Sequence, residues 1–386
     1  MTKTGMRPSA VACVLAGLSC AVPALALAAG PAYQDVAPQI DTIVQNRPKD
    51  FSRENDERKD YVFGKLGSSN RDRIAALANT LGATDLLEMR ERIEKAKQAI
   101  ADKEAALRVL EAELAQAPPD ATGITGWVSN HLSRTYSDVK AELDRAQQDL
   151  MRLQDAANAE RQAVVDRLNG IGVVVSVEQL DILLRSITGD DILRMAGFFE
   201  NVLAIHRGLA EALTAQGEKV DLASKYYATR VVLIDVAVEM HDRFLQRSGG
   251  EHVRTLDRIM QEAQAVKAEA KAFIAKEKDQ ALRDQAENNV RRCDLTAKVA
   301  SVYKTILQDQ ARQVSDRRER LSRERELAIN TYKVAAVSGE LAKLIKQNDQ
   351  DFSTLMQITL PDMRPFENAE MRDEFERLTK RLASKS

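Results

Sequence analysis

The amino-acid sequence predicts an all-α protein, an elongated multi-helix bundle from which an antiparallel coiled-coil hairpin projects. Of the 386 residues, 44% are hydrophobic and 30% are charged, but only 4% are aromatic, a composition typical of long amphipathic helices. Apolar residues recur at alternating three- and four-residue intervals over long stretches, which is the period of a helix and not of a strand. Residues 251–338 contain neither glycine nor proline, so nothing local interrupts a helix there.

Residues 1–29 have the layout of a secretory signal peptide. Lys3 and Arg7 precede an uncharged segment rich in alanine, valine and leucine, and small residues surround Ala28, which is the order of a charged region, an apolar region and a cleavage site. An uncleaved membrane anchor and a lipid anchor at Cys20 are the alternatives. The sequence therefore predicts a periplasmic or secreted protein.

Cysteine content and charge limit the classes of function. Cleavage would remove Cys13 and Cys20 and leave Cys293 alone, so the mature chain could form no internal disulfide and would depend on helix packing for stability. It would carry 54 basic and 58 acidic residues. A mildly acidic chain with interspersed charges is not built to hold nucleic acid.

Residues 30–70 are expected to be an extended or loosely helical lead-in. Three prolines interrupt the apolar pattern, and a charge-dense run follows at residues 53–60, which disfavours burial of this segment. A short helix then fits residues 71–81 and ends at Gly82.

Residues 71–170 are predicted to form the coiled-coil hairpin arm. One apolar seam occupies residues 86–117, and a second of nearly equal length occupies residues 132–164. Three-four spacing of this kind is typical of a coiled coil. The Pro118-Pro119 pair stops the first helix, so folding back there would bury one seam against the other. Whether the seams pair within one chain or between two copies in a homo-oligomer is left open.

The far end of the arm holds the candidate partner-binding residues. Residues 121–133 carry no formal charge and include the only tryptophan of the chain. Large apolar side chains at such a position favour a docking tip for a protein partner or for a membrane surface. The competing interpretation is that the tryptophan folds back to cap the two helices. The predicted partner-binding residues are Ile124, Trp127, Val128 and Leu132.

Residues 171–346 are predicted to form the long-helix bundle body. The helix at 189–215 has an apolar face too broad for a two-stranded seam, which is typical of a helix inside a bundle. The following helix is expected to end at Ser248-Gly249-Gly250. Within the polar stretch 277–294, a turn is expected around Asn288-Asn289.

The only arrangement in the body that resembles a chemical site is an acidic stripe. Asp235, Glu239 and Asp242 share one helix face, and paired acids on bundle helices bind metal ions when Glu-x-x-His motifs face them. The sequence has no Glu-x-x-His motif, and its four histidines match no zinc spacing. The stripe is therefore predicted to be a solvated or ion-paired face, and neither a metal nor a cofactor is predicted.

Residues 347–386 are predicted to form a proline-containing segment followed by a C-terminal amphipathic helix. Pro361 and Pro365 extend the first part. Apolar residues then recur on one side of the last helix, which is expected to dock on the body. These residues are Met371, Phe375, Leu378 and Leu382.

The sequence favours a non-enzymatic function. It contains no P-loop, no dinucleotide-binding fingerprint and no nucleophile elbow. The leading hypothesis is an exported coiled-coil scaffold or adaptor that binds a protein partner in a bacterial-type cell envelope. Another hypothesis, an extracytoplasmic ligand-binding helical bundle, requires an internal pocket.

The main alternative is a secreted membrane-active protein. The chain resembles the α-helical pore-forming toxins in its long helices and in an apolar element at one end of a hairpin. Against this, both the tryptophan tip and residues 170–177 are well below the roughly 20 apolar residues that span a bilayer.

Overall fold

The protein is an all-α multi-helix bundle, as the sequence predicts. The structure is a computed structural model that describes the larger part of the chain's residues. These are residues 33–47, 51, 61–62, 65–66, 68–119, 135–215, 220–335, 358–359, 366 and 368–384. The predicted signal peptide, residues 1–29, lies outside them.

The secondary structure consists of long helices and two very short sheets. The helices are α1 (Tyr33–Gln45), α2 (Asn70–Leu81), α3 (Leu86–Gln116), α4 (Tyr136–Gly170), α5 (Val177–Arg185), α6 (Gly189–Ala215), α7 (Val220–Phe244), a π-helix (Leu245–His252), α8 (Val253–Lys276), α9 (Gln280–Ala335) and α10 (Ala369–Ala383). Strands β1 (Tyr61–Val62) and β2 (Lys65–Leu66) pair antiparallel, and β3 (Val173–Val174) and β4 (Ile358–Thr359) pair parallel. Within the described residues, no helix is both long enough and apolar enough to cross a membrane.

Helix α7 is the central element of the core. Its residues 226–238 are buried without exception, because α1, α2, α6, α9 and the π-helix pack around it. A helix that is buried on every side must satisfy its polar groups internally. The ion pairs of the acidic stripe follow from this position.

Helix α1 is more regular than the lead-in expected from the sequence. Three apolar residues at helical spacing, Val36, Ile40 and Ile43, are fully buried in the main core, and α1 contacts α2, α6 and α7. Burial of three such side chains contributes on the order of 5 kcal/mol. That gain outweighs the free-energy cost of placing Pro38 inside the helix.

The expected helix end at Ser248-Gly249-Gly250 is wrong. The π-helix passes through these residues and joins α7 to α8. A Cβ at position 249 would lie 3.2 Å from the Cβ of Ala311, so the glycine lets α9 approach closely. Tertiary packing thus offsets the weak helix propensity of Ser-Gly-Gly.

The turn expected around Asn288-Asn289 is also wrong, because the chain reverses at residues 277–279. Asp279 accepts a hydrogen bond from the Leu282 N–H at 3.2 Å, which is the geometry of an N-cap at the start of α9. Helices α8 and α9 then pack antiparallel, and Lys304 pairs with Asp257 at 2.6 Å. The cap, and not the lack of apolar residues, determines where the helix begins.

The C-terminal helix α10 packs against α9 in the body. Its apolar residues Met371, Phe375, Leu378 and Leu382 are all buried. The rings of Phe375 and Tyr303 lie 4.2 Å apart between centroids. The buried carboxylate of Glu374 accepts a hydrogen bond from the Thr296 hydroxyl at 2.7 Å.

Candidate functional site on the helical arm

The arm consists of α3 and α4, which pack antiparallel. Arg92 pairs with Glu160 at 2.7 Å, and farther from the body Lys103 pairs with Asp149 at 3.1 Å. From the first ion pair to the second, the residue number rises along α3 and falls by the same amount along α4. The two helices therefore run antiparallel in one constant register. At the outer end the Tyr136 N–H donates to the Pro118 carbonyl at 3.0 Å.

The outer half of the arm has its own small hydrophobic cluster, separate from the main core. Four residues are buried in it, and two more pack against it in part. The buried residues are Leu107, Leu110, Leu143 and Ala146, and the partly buried ones are Leu114 and Leu150. The outer half is therefore stabilised by the pairing of α3 with α4.

The inner half of the arm is anchored to the body. Leu86, Met89 and Ile93 of α3 and Val164, Val165 and Leu168 of α4 belong to the main core. Arg167 lies between Asp85 at 2.5 Å and Glu200 of α6 at 2.8 Å. Burial opposes the charge of Arg167, but these hydrogen bonds outweigh it and raise its pKa above the ordinary value of arginine.

The conformation of the residues between the end of α4 and the start of α5 also follows from local chemistry. Gly172 has φ of 86°, a left-handed conformation that glycine adopts without strain. Ser176 then begins α5 with a capping box, because its hydroxyl accepts the Gln179 N–H at 3.2 Å and the Gln179 side chain accepts the Ser176 N–H at 2.9 Å. The Ser-x-x-Gln spacing of residues 176–179 by itself predicts a helix start with a capping box, and the structure confirms it.

The four predicted partner-binding residues, Ile124, Trp127, Val128 and Leu132, lie outside the described residues. The structure does describe the residues on either side of that segment, and Pro118 and Tyr136 lie at the outer end of the arm. The two interpretations of Trp127, a docking tip or a structural cap, both remain predictions.

The acidic stripe in the body is a set of ion pairs. Asp235 is fully buried and lies between Arg47 at 2.5 Å and Arg325 at 2.6 Å. Glu239 pairs with Arg243 at 2.9 Å, and Asp242 pairs with Arg318. In the part of the chain that the structure describes, no group of three histidine, cysteine or acidic side chains could hold a metal ion.

A second candidate site, which no sequence pattern indicates, is a cleft of about 530 Å³ between α2, α6, α7 and the π-helix. Arg194, Arg243 and Arg247 line it together with Asp191 and Glu251. These side chains come from three elements, α6, α7 and the π-helix, so no local sequence pattern could reveal that they meet.

No family model, curated protein or solved structure matches this chain.

Proposed function

We propose that this protein is a non-enzymatic, exported scaffold or adaptor whose coiled-coil arm binds a protein partner in the cell envelope. The outer half of the arm supports this proposal most strongly. Its apolar residues pack within the α3–α4 pair and form a cluster apart from the main core, so this half extends the reach of the molecule more than it stabilises the body.

The anchoring of the arm also supports a role in holding a partner. Arg167 connects the start of α3, α4 and α6, and Arg161 of α4 pairs with Asp181 of α5 at 3.5 Å. Partly buried ion pairs and core packing at the base restrict the directions that the arm can take. A pre-organised arm loses less conformational entropy on binding than a flexible one.

The proposed contact surface is the set Ile124, Trp127, Val128 and Leu132. An aromatic anchor at the centre of an interface typically contributes about 2 kcal/mol or more to binding. The proposed export rests on the leader layout of residues 1–29. A cytosolic species with an intact Met1, found by N-terminal sequencing, would contradict the export.

The test compares a tip variant with a variant on the side of the arm. The tip variant carries Trp127→Ala and Ile124→Ser. The control carries Met151→Ala and Val109→Ser, since these side chains are 63% and 59% exposed along the arm. A partner recovered with the wild-type protein from envelope fractions, and identified by mass spectrometry, is titrated against all three proteins.

We expect the tip variant to bind the partner about thirtyfold more weakly or worse, while the control binds as the wild type does. Both variants should melt at nearly the wild-type temperature. If the tip variant melts markedly lower and still binds, Trp127 is a structural cap. Leakage from liposomes caused by the wild type, and lost in the tip variant, would instead favour the membrane-active alternative.

A further inference from the structure

The cleft between α2, α6, α7 and the π-helix combines an apolar interior with a rim that carries Arg194, Arg247 and Glu251. Met195 and Phe244 are buried at its inner side, and Met240 is partly exposed. Arg194 and Arg247 are exposed at its outer side. Its volume of about 530 Å³ lies within the range of small-ligand sites.

The guanidinium groups of the cleft have more N–H donors than acceptors around them. Each arginine offers five N–H donors. Arg243 uses two of them, on Glu239 at 2.9 Å and on Asn79 at 3.0 Å. Arg247 donates to Asp191 at 2.9 Å, and Arg194 donates to no acceptor among the described residues. Arg243 is thus balanced by Glu239 and Arg247 by Asp191, so the unused donors of Arg194, beside those that remain on Arg247, make the cleft suited to an anion.

The π-helix forms the wall of the cleft that carries Arg247. Its opposite side packs into the protein, where Ser248 and His252 are buried and Gly249 meets Ala311. The carboxylate of Asp191, at the start of α6, holds Arg247 in place across the cleft. Segments of π-helix occur frequently at functional sites.

We propose that this cleft binds a small phosphate ester, with Arg194 and Arg247 on the phosphate and with Met195, Met240 and Phe244 against the ester carbons. Two guanidinium groups from different helices favour phosphate over carboxylate. One arginine already occupies both oxygens of a carboxylate when it binds in bidentate fashion, whereas the three free oxygens of a phosphate ester accommodate two arginines. This inference concerns the body of the protein and is independent of the arm.

The test is calorimetric titration of the mature full chain with monobutyl phosphate, inorganic phosphate, butyrate and butanol. We expect monobutyl phosphate to bind most tightly, because it alone offers both the phosphate and the hydrocarbon. Arg194→Gln should weaken that binding at least about tenfold, the typical effect of losing hydrogen bonds to a charged group. Its melting temperature should not change, since Arg194 is exposed.

Arg207→Gln is the matched control. Arg207 is also exposed on α6, but it lies outside the cleft and about 20 Å farther along the helix at 1.5 Å per residue. Absence of binding by the wild type at millimolar monobutyl phosphate would overturn the proposal. Equal weakening by both variants would overturn it too, because that result indicates non-specific charge attraction.

Vesicles distinguish the source of the phosphate. Sedimentation with phosphatidylglycerol vesicles that Arg194→Gln abolishes and Arg207→Gln preserves would assign a phospholipid headgroup as the natural ester. Binding of monobutyl phosphate without vesicle sedimentation would assign a free metabolite. Tighter binding of butyrate than of monobutyl phosphate would refute the choice of phosphate.

Discussion

Acid should destabilise this protein through His241, a buried residue of α7. Its side chain is 1% exposed, and its Nδ1 lies 2.7 Å from the carbonyl oxygen of Ala237. Because a carbonyl only accepts, Nδ1 carries the proton of the neutral ring. Nε2 is buried and has no hydrogen-bond partner in the described structure. A proton on Nε2 would therefore create a buried charge that no hydrogen bond from Nε2 stabilises.

Burial lowers the pKa of His241 from 6.5 to about 4, and the hydrogen bond to Ala237 opposes this only in part. The charges of Arg317 and Arg318 lower the pKa further, and Asp242 opposes them. The unfolded chain therefore binds a proton below pH 6.5, whereas the folded protein binds it only near pH 4. This contribution to stability is complete above pH 6.5 and is lost as the pH falls, by about 1.4 kcal/mol at pH 5.5 and about 3 kcal/mol at pH 4.

The assay is urea unfolding of the wild type and of His241→Leu at pH 7 and pH 5.5. Leucine keeps the apolar packing next to Phe199, whose ring centroid lies 6.0 Å from that of His241, and it removes the titration. The wild type should lose about 1.2 kcal/mol more than the variant between these pH values. Parallel pH profiles, or a His241 proton resonance that titrates near pH 6.5, would refute the reasoning.

Three other substitutions test the body and the arm. Asp235→Asn should cost about 3–5 kcal/mol of unfolding free energy, because it breaks a buried ion pair, whereas the partly exposed Asp242→Asn should cost under about 1 kcal/mol; equal costs in urea unfolding would contradict this. Leu107→Asp should remove hydrogen-exchange protection from the outer halves of α3 and α4 only, because Leu107 packs in the separate arm cluster and the inner halves belong to the main core. A loss spread over the whole chain would show that the arm is not a separable unit. Tyr303→Phe removes the acceptor of the Ile187 N–H, at 2.6 Å, and the partner of Thr379, at 3.0 Å. It should therefore cost about 1–3 kcal/mol and speed exchange in α10, unlike Tyr332→Phe, which keeps the partly buried ring that packs on Phe51.

The sequence by itself determined the fold class and many helix limits, since these depend on neighbours along the chain. The apolar periodicity at 86–117 predicted the helix α3, and the Ser176 capping box predicted the start of α5. Both patterns act within a few turns of helix, where propensity, caps and spacing determine the backbone.

Only the tertiary structure decided which side chains meet across helices. The helix continues through Ser-Gly-Gly as a π-helix, with Ser248 and His252 buried on its inner side and Gly249 close to Ala311 of α9. The burial of Asp235 between Arg47 and Arg325, and the convergence of Arg194 with Arg247, join residues that are far apart in sequence. Such contacts are made by the packing of whole helices, and burial changes the free energy of a charge far more than any local sequence preference does.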